Sequence, residues 1–123
     1  MQSKADIKAA DVVLCDIPGD SSHQAEALVV AVHRRLFRKP LLSLVFAREC
    51  RQNEAGYSPH QFLLTSEEEI RQAGLPFPSR FDLREVVTKP LNEIGMRTGY
   101  VDLKSPERRE RYRKALRAAE HVL

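Results

Sequence analysis

The sequence has few of the residue types from which metal sites, disulfide frameworks and nucleophile elbows are built. It contains no tryptophan, five glycines and only two cysteines in 123 residues. Cys15 and Cys50 stand alone, without the C-x-x-C spacing or the paired histidines of a zinc motif. A glycine-rich phosphate loop, a G-x-S-x-G elbow and an H-E-x-x-H string are also missing. These absences exclude the motifs of nucleotide hydrolases, serine esterases and zinc proteases, and we predict neither a metal site nor a cofactor.

Long apolar segments are equally scarce. No run approaches the roughly 18 apolar residues of a membrane span, and the first residues lack the basic and apolar regions of a signal peptide. We therefore expect a cytoplasmic protein with no membrane partner, in which a reducing environment leaves the thiols unpaired. The 123 residues, 42% of them hydrophobic and 30% charged, fit one globular domain over residues 1–123.

Positive charge exceeds negative charge only slightly. The formal net charge is +3, which permits nucleic-acid binding without requiring it. Much of the basic excess lies between Lys104 and Arg117, where a helix exposed to solvent on three sides explains it as well as a binding surface does. We therefore expect substitutions of Arg108 or Arg113 to change activity little.

Short apolar stretches bounded by turn residues predict strands. Residues 12–17 are rich in β-branched side chains and end at the Pro18-Gly19 turn. Residues 27–32 should form a second buried strand that pairs back on the first. A third strand is expected over residues 41–47 and a short one over residues 62–64.

Between these strands the composition becomes polar or basic. Residues 21–24 predict a polar loop at the tip of the first hairpin, and residues 33–39 predict a basic turn. Residues 52–60 contain glycine and proline among polar side chains and predict a longer loop.

Two helices are indicated by their caps. Thr65 and Glu68 have the spacing of a capping box, which starts a short helix that runs to Ala73 and stops at Gly74. Ser105 as N-cap, followed by a proline at the first helical position, starts a second helix that should pack on the sheet. The apolar residues of that helix recur at helical spacing: Tyr112, Ala115, Leu116, Ala119 and Val122.

The stretch between the two helices contains a charged strand. Two prolines after the first helix fix φ and remove backbone donors, so a strand is expected over residues 79–87. Its residues alternate between an apolar face and a face formed by Arg80, Asp82 and Arg84. That charged face is either a solvated surface or a positive site with an internal carboxylate, suited to an anionic ligand. Residues 98–102 predict a last strand.

The order of these elements predicts the fold class. About five short antiparallel strands, a small inserted helix and a C-terminal helix describe a mainly β protein with helices, a small open barrel or strongly bent sheet of the α+β class. Crossover helices are missing from the pattern, which excludes a doubly wound parallel sheet.

Four short sequence segments, together with this order of elements, resemble the sequences of toxins of the MazF/PemK (Kid) type. Residues 10–18, ADVVLCDIP, look like the family's opening strand G-D-[IV]-V-x-V-x-[FL]-P. Residues 27–30, ALVV, look like the tail of its R-P-x-L-V-[IV] strand, and residues 73–79, AGLPFPS, are similar to its A-G-L-P-K-P-S turn. Residues 98–101, TGYV, resemble an I-G-x-[LV] element before a terminal helix. The four segments occur in the family's order over nearly the whole chain.

The resemblance implies an SH3-like barrel and a homodimer. It also implies an endoribonuclease that cleaves single-stranded RNA without a metal and is held in check by a cognate antitoxin protein. A shortage of large side chains, with no Trp and only five Phe, independently favours a dimer, because short strands alone would bury little apolar area.

The chain departs from the family pattern at the positions that usually carry the chemistry. Ala25-Glu26 replaces the family's Arg-Pro, so its usual catalytic arginine has no counterpart there. Arg48-Glu49 stands where Thr-Ser commonly ends the third strand. Asp82-Leu83-Arg84 reverses the order of an Arg-x-Asp found in some members, and His23-Gln24 is similar to part of a Gly-His-Glu-Gln loop.

Metal-independent cleavage of RNA requires a base for the 2′-hydroxyl, an acid for the leaving oxygen and cations for the phosphate. His23, Glu49 and Asp82 are the candidates for proton transfer. Arg48 and Arg84 are the candidate cations, and Arg48 is the better substitute for the missing arginine because it follows an apolar strand directly.

Two further expectations remain open at this stage. Phe37 and Tyr57 are the only loop aromatics on which RNA bases could stack. The altered motifs also fit a second class of protein, a barrel of the same fold that has lost nuclease chemistry and binds a protein partner, as the gyrase-binding relatives of the fold do.

Overall fold

A computed structural model describes residues 6–50 and 58–120. Within those ranges the chain forms eight β-strands and two α-helices. Neither helix is long and apolar enough to cross a membrane. In chain order the elements are β1 (Asp11–Ile17), β2 (Asp20–Arg35), β3 (Arg38–Phe46), β4 (Arg48–Glu49), β5 (Gln61–Leu64), α1 (Glu67–Ala73), β6 (Ser79–Asp82), β7 (Val87–Pro90), β8 (Ile94–Tyr100) and α2 (Pro106–Glu120), with a 3-10 turn at Leu91–Glu93.

The strands form two antiparallel sheets. The larger has the order β7-β3-β2-β1-β8, and the smaller has the order β4-β6-β5. Irregular register between β2 and β3, at Val29/Ala31 and His33/Arg35, breaks the ladder twice, and such bulges bend a long strand. The predicted α+β class, an open antiparallel arrangement with a short inserted helix and a C-terminal helix, is confirmed.

The strands are more numerous and less uniform than predicted. The expected second strand over residues 27–32 is only the middle of β2, and residues 21–24 belong to that strand instead of a loop. Because Asp20 and Gln24 pair with Ile17 and Asp16 of β1, pairing with the neighbouring strand outweighs the local polar composition. The expected strand over residues 79–87 is divided between the two sheets, since a turn interrupts it after Asp82.

The helix caps lie close to their predicted positions. The N-cap of α1 is Ser66 and not Thr65: the Ser66 hydroxyl accepts from the Glu69 amide at 3.2 Å, and the Glu69 carboxylate accepts from the Ser66 amide at 3.3 Å. The capping box is therefore shifted by one residue, which keeps the three-residue spacing. Gly74 ends α1 in the left-handed conformation, with φ 68°, and α2 begins at Pro106 behind Ser105, both as predicted.

The sheet is buried on both faces. Val12 belongs to a core shared with the two helices and the smaller sheet, and Val13 belongs to a second core on the opposite side. Tyr112 of α2 contacts Phe62 edge to face, with ring centroids 5.1 Å apart, and burial raises the pKa of Tyr112 to about 12. The predicted packing of α2 is confirmed at Tyr112, Ala115 and Ala119, whereas Val122 lies outside the described residues.

A buried carboxylate joins the two helices. Glu69 of α1 accepts from Arg108 Nε at 2.7 Å and from Arg111 Nη2 at 2.6 Å, both on α2. Burial alone would raise the pKa of Glu69, but the hydrogen bonds from Arg108, Arg111 and Ser66 outweigh it and lower the pKa to about 2. The basic residues of α2 are therefore not all solvated surface charges, because these two arginines hold α1 against α2.

Candidate active site

A pocket opens where the chain passes from the larger sheet to the smaller one. The last residues of β3, the first residue of β4, the β1–β2 turn and the turn after β6 surround it. Its volume is about 440 Å³. It is lined by Ile17, Pro18, Ala25, Phe46, Ala47, Arg48, Glu85 and Val87.

Arg48 provides the cation in this pocket. Its Nη2 lies 2.9 Å from Glu85 Oε2, and the two side chains are 61% and 54% exposed. Exposed ion pairs of this kind contribute about 0–1 kcal/mol to folding stability. An anionic ligand can therefore displace the Glu85 carboxylate from the Arg48 guanidinium. In β4 the residue also stands directly opposite Arg80 of β6, which adds a second positive residue on the same side of the smaller sheet.

Ala25 lies in the wall of the same pocket. The resemblance places the family's arginine at this position, and here a methyl group replaces it. Arg48 comes from a different strand and lines the same cavity, so it brings a guanidinium to the space that a residue-25 side chain would reach. Ala25 and Arg48 thus line one cavity, and the choice of Arg48 as substitute cation stays a prediction.

His23 lies in β2, two residues before Ala25, and is not one of the residues that line the pocket. The pairing of β2 with β1 is irregular here, since Gln24 is opposite Asp16 and Asp20 is opposite Ile17. The Nδ1 of His23 lies 2.8 Å from Asp20 Oδ2, and both side chains are substantially exposed. The contact orients the imidazole, and proton exchange with a substrate would then take place at Nε2.

Asp82 and Arg84 lie in a turn outside the pocket. Asp82 Oδ2 is 3.3 Å from Nε2 of His60, and both residues are buried. Asp82 Oδ1 accepts from the Arg84 amide at 3.0 Å, and the Asp82 carbonyl accepts from the Glu85 amide at 2.9 Å. These contacts form a turn in which the Asp82 carboxylate accepts a hydrogen bond from the backbone amide two residues later in the chain. The turn sets the position of Glu85.

Glu49 lies next to Arg48 but points elsewhere. Consecutive residues of a strand project to opposite faces, so Glu49 in β4 faces away from Arg48. It pairs in register with Ser79 of β6. Of the predicted residues, only Arg48 lines this pocket, whereas His23, Glu49, Asp82 and Arg84 are not among its lining residues.

Sequence reasoning missed Asp20 and Glu85. Glu85 is 37 positions from Arg48, a separation at which no spacing pattern indicates contact. Asp20 was recognisable only as part of a polar turn. Tyr57, a predicted stacking aromatic, and most of the loop over residues 52–60 lie outside the described residues. In the described ranges no three His, Cys, Asp or Glu residues are grouped in a way that could hold a metal ion.

A second pocket, of about 590 Å³, lies at the opposite end of β1 and contains none of the predicted site residues. Its buried Asp11 has Arg97 Nε 3.0 Å from Oδ1, although that N–H is not aimed at the oxygen, so the contact is an ion pair and not a hydrogen bond. The Arg97 guanidinium also lies over the Tyr100 ring, 5.3 Å from its centroid. With its charge matched in this way, Asp11 serves to join β1 and β8.

Comparison with solved structures places this geometry in a known fold. Similar structures include an endoribonuclease in complex with its cognate antitoxin from mycobacterial species, with 16% identity, a TM-score of 0.65 and coverage of 95% of this chain and 97% of that chain. An endoribonuclease from mycobacterial species has 16% identity, a TM-score of 0.62 and coverage of 94% and 91%. The Mycobacterium tuberculosis toxin MazF-mt6 has 12% identity, a TM-score of 0.62 and coverage of 90% and 96%.

The chain has the fold of MazF-type toxins. No protein-family model and no curated protein matches the sequence. The similarity is therefore a similarity of the backbone, and it extends over nearly the full length of both compared chains. The MazF-type architecture expected from the four segments is therefore present. At this level of identity the side chains of the pocket must be judged by their own geometry.

Proposed function

We propose that this protein is an endoribonuclease of a toxin–antitoxin system that cleaves single-stranded RNA without a metal. The observation that carries the proposal is the pocket in which Arg48 faces the space left by Ala25 and is held by an exposed, displaceable Glu85. The full-length fold likeness to two endoribonucleases, one of them bound to its antitoxin, supports the same class.

Arg48 is proposed to bind the phosphate. Its planar fork can donate two parallel hydrogen bonds to phosphate oxygens, and these strengthen as negative charge builds at phosphorus. When the phosphate takes over the guanidinium, the Glu85 carboxylate loses its partner. It is then the nearest base for the 2′-hydroxyl proton.

His23 is proposed as the acid. The 2′-oxygen attacks phosphorus, the bond to the 5′-oxygen breaks, and a protonated His23 gives its Nε2 proton to that leaving oxygen. Asp20 holds Nδ1 of the ring at 2.8 Å and stabilises the charged imidazolium. The products are a cyclic phosphate and a 5′-hydroxyl, so charge and protons balance without a co-reactant.

Asp82, Arg84 and Glu49 have positioning roles in this proposal. The turn that Asp82 builds with Arg84 places Glu85 within reach of Arg48. Glu49 follows Arg48 in β4 and fixes the strand against Ser79 of β6. Substituting Asp82 should therefore reduce cleavage through misplacement of Glu85, even though its own carboxylate does not reach the pocket.

The test of the proposal uses single-stranded RNA with EDTA. Wild type should produce fragments ending in cyclic phosphate, Arg48→Ala should not, and Arg113→Ala on the exposed face of α2 is the matched control. Absence of cleavage by wild type above the buffer rate would refute the enzymatic proposal.

The proposal also includes a protein partner of the antitoxin class, a homodimer and a cytoplasmic location. The proposal of an antitoxin partner is supported by the similar endoribonuclease whose structure was solved in complex with its cognate antitoxin. The dimer is supported by exposed apolar side chains on β8, an edge strand of the larger sheet, where Met96 is 67% exposed. Light scattering at micromolar concentration should give twice the chain mass, and a monomer mass would contradict the dimer.

One observation favours a second function. With Ala25 in place of an arginine and Arg48 engaged by Glu85, the pocket has one cation where catalysis needs strong charge compensation. A barrel of this fold that has lost nuclease chemistry and binds a protein partner, such as a gyrase subunit or a regulator, would also lack the second catalytic cation. Purification from the native cells separates the two: a stable partner with no RNA cleavage supports the binder, and a free active enzyme excludes it.

A further inference from the structure

The hairpin between β2 and β3 ends in two apolar residues that almost nothing covers. Arg35 and Arg38 pair across the end of the hairpin, and Leu36 and Phe37 form the turn between them. Leu36 is 82% exposed and Phe37 is 96% exposed. Burial therefore gives no reason for either residue to be apolar.

The backbone at Phe37 is also unfavourable for this residue type. Its φ is +63°, in the left-handed region that glycine and asparagine occupy far more readily than a bulky side chain. Phe37 therefore neither buries apolar surface nor fits its backbone conformation well. Such strained residues cluster at binding sites, which indicates a functional role for this side chain.

The turn is surrounded by positive charge. Arg34, Arg35, Arg38 and Lys39 flank it, and no acidic residue occurs between Glu26 and Glu49. The Arg35 side chain donates to the Lys39 carbonyl from Nε at 3.0 Å and from Nη2 at 2.7 Å. The guanidinium thus crosses the base of the turn and holds its shape.

We propose that this tip is a second contact for single-stranded RNA, in which Phe37 stacks on a base while Arg34, Arg38 and Lys39 contact phosphates. An aromatic ring among cations is the combination by which proteins hold single strands without reading their sequence. A preformed turn with its ring already in solvent loses little conformational freedom on binding. The inference rests on the proposed function in taking RNA as the ligand.

The tip is separate from the candidate active site. The pair Ala27–Phe46 lies beside the pocket and the pair Arg35–Arg38 lies at the tip, which puts them about 26 Å apart along the strand at 3.3 Å per residue. Only an RNA long enough to reach both can use both. Loss of the tip contact should therefore raise KM for long RNA, leave kcat unchanged, and leave cleavage of an RNA that fills only the pocket unaffected.

Binding can be measured apart from cleavage by fluorescence anisotropy with a labelled single-stranded RNA carrying 2′-O-methyl groups, which lacks the attacking hydroxyl. Phe37→Ala should weaken binding about 5- to 150-fold, the range for loss of one stacked base. Phe37→Trp should bind like wild type and Phe37→Leu like the alanine variant, since leucine is apolar but has no ring face. Arg38→Gln should reduce the slope of log affinity against log salt by about 0.7. Arg113→Gln, which removes an exposed cation from α2, is the control.

Equal binding by Phe37→Ala and Arg113→Gln would overturn the inference, and so would wild-type binding by Phe37→Leu. Vesicles of phosphatidylcholine and phosphatidylserine test a membrane as the occupant: loss of vesicle binding in Phe37→Ala with unchanged RNA binding would also overturn it. If wild type cleaves no RNA but the Phe37 variants bind the 2′-O-methyl strand in the expected order, the proposed function fails and the RNA-binding tip stands. Cleavage with no contribution from Phe37 refutes the tip alone.

Discussion

Replacing Glu69 by glutamine should remove the buried ion pairs that join α1 to α2. The carboxylate is 7% exposed and binds two arginines of α2 as well as the cap of α1. A pKa lowered from 4.5 to about 2 corresponds to about 3 kcal/mol of folding stability at neutral pH. Glu69→Gln should cost about that much, because Arg108 and Arg111 are left beside a neutral group.

The sign of the pH dependence follows from the lowered pKa of Glu69. The carboxylate binds protons more weakly in the folded chain, so its contribution is complete above pH 4.5 and is lost as the pH falls towards 2. Urea unfolding followed by circular dichroism should show a steep loss of stability over that interval in wild type and a shallower loss in Glu69→Gln. Glu68→Gln, an exposed neighbour in the first turn of α1, is the control for the helix dipole. Equal free energies of unfolding in the two variants, or an unchanged pH slope in Glu69→Gln, would refute this reasoning.

Three further predictions concern the pocket and the tip. Arg48→Lys should lower kcat/KM for RNA by about 10²-fold or more, since a point charge cannot replace a bidentate fork; activity near wild type would contradict this role. Phe37→Asn should raise the free energy of unfolding by about 1 kcal/mol while weakening RNA binding, because asparagine accepts positive φ; a loss of stability in urea would contradict the strain at this turn. Ala25→Arg should restore RNA cleavage to Arg48→Ala.

The local features of the fold were predictable because each is decided by neighbouring residues. The stop of α1 at Gly74 and the start of α2 at Ser105 depend on cap chemistry within one turn of helix. The extent of β2 could not be predicted in the same way. Its polar first residues, 20–24, are strand because β1 lies beside them, and that partner is known only once the sheet is assembled.

The same distinction applies to the candidate site. Arg48 was recognisable because an apolar strand leads straight into it, whereas its partner Glu85 is positioned by the Asp82 turn, 37 positions away in the chain. Glu69 is one of three glutamates in the first turn of α1, and nothing in the sequence separates it from Glu67 and Glu68. Its pairing with Arg108 and Arg111 depends on how α2 crosses α1, which no local pattern contains.

The rescue of Arg48→Ala by Ala25→Arg tests whether the site has moved its cation from one wall of the pocket to the other. Both positions line the same cavity, so a guanidinium from either one can reach a phosphate held there. If Arg48 works only by charge at that phosphate, the double variant should recover much of the cleavage that Arg48→Ala loses, and Ala25→Arg alone should not reduce it. Glu85 then pairs with the new arginine in the absence of substrate. A double variant that is as inactive as Arg48→Ala, with unchanged folding by circular dichroism, would show that Arg48 does more than supply charge and that the pocket is not the displaced counterpart of the family's site.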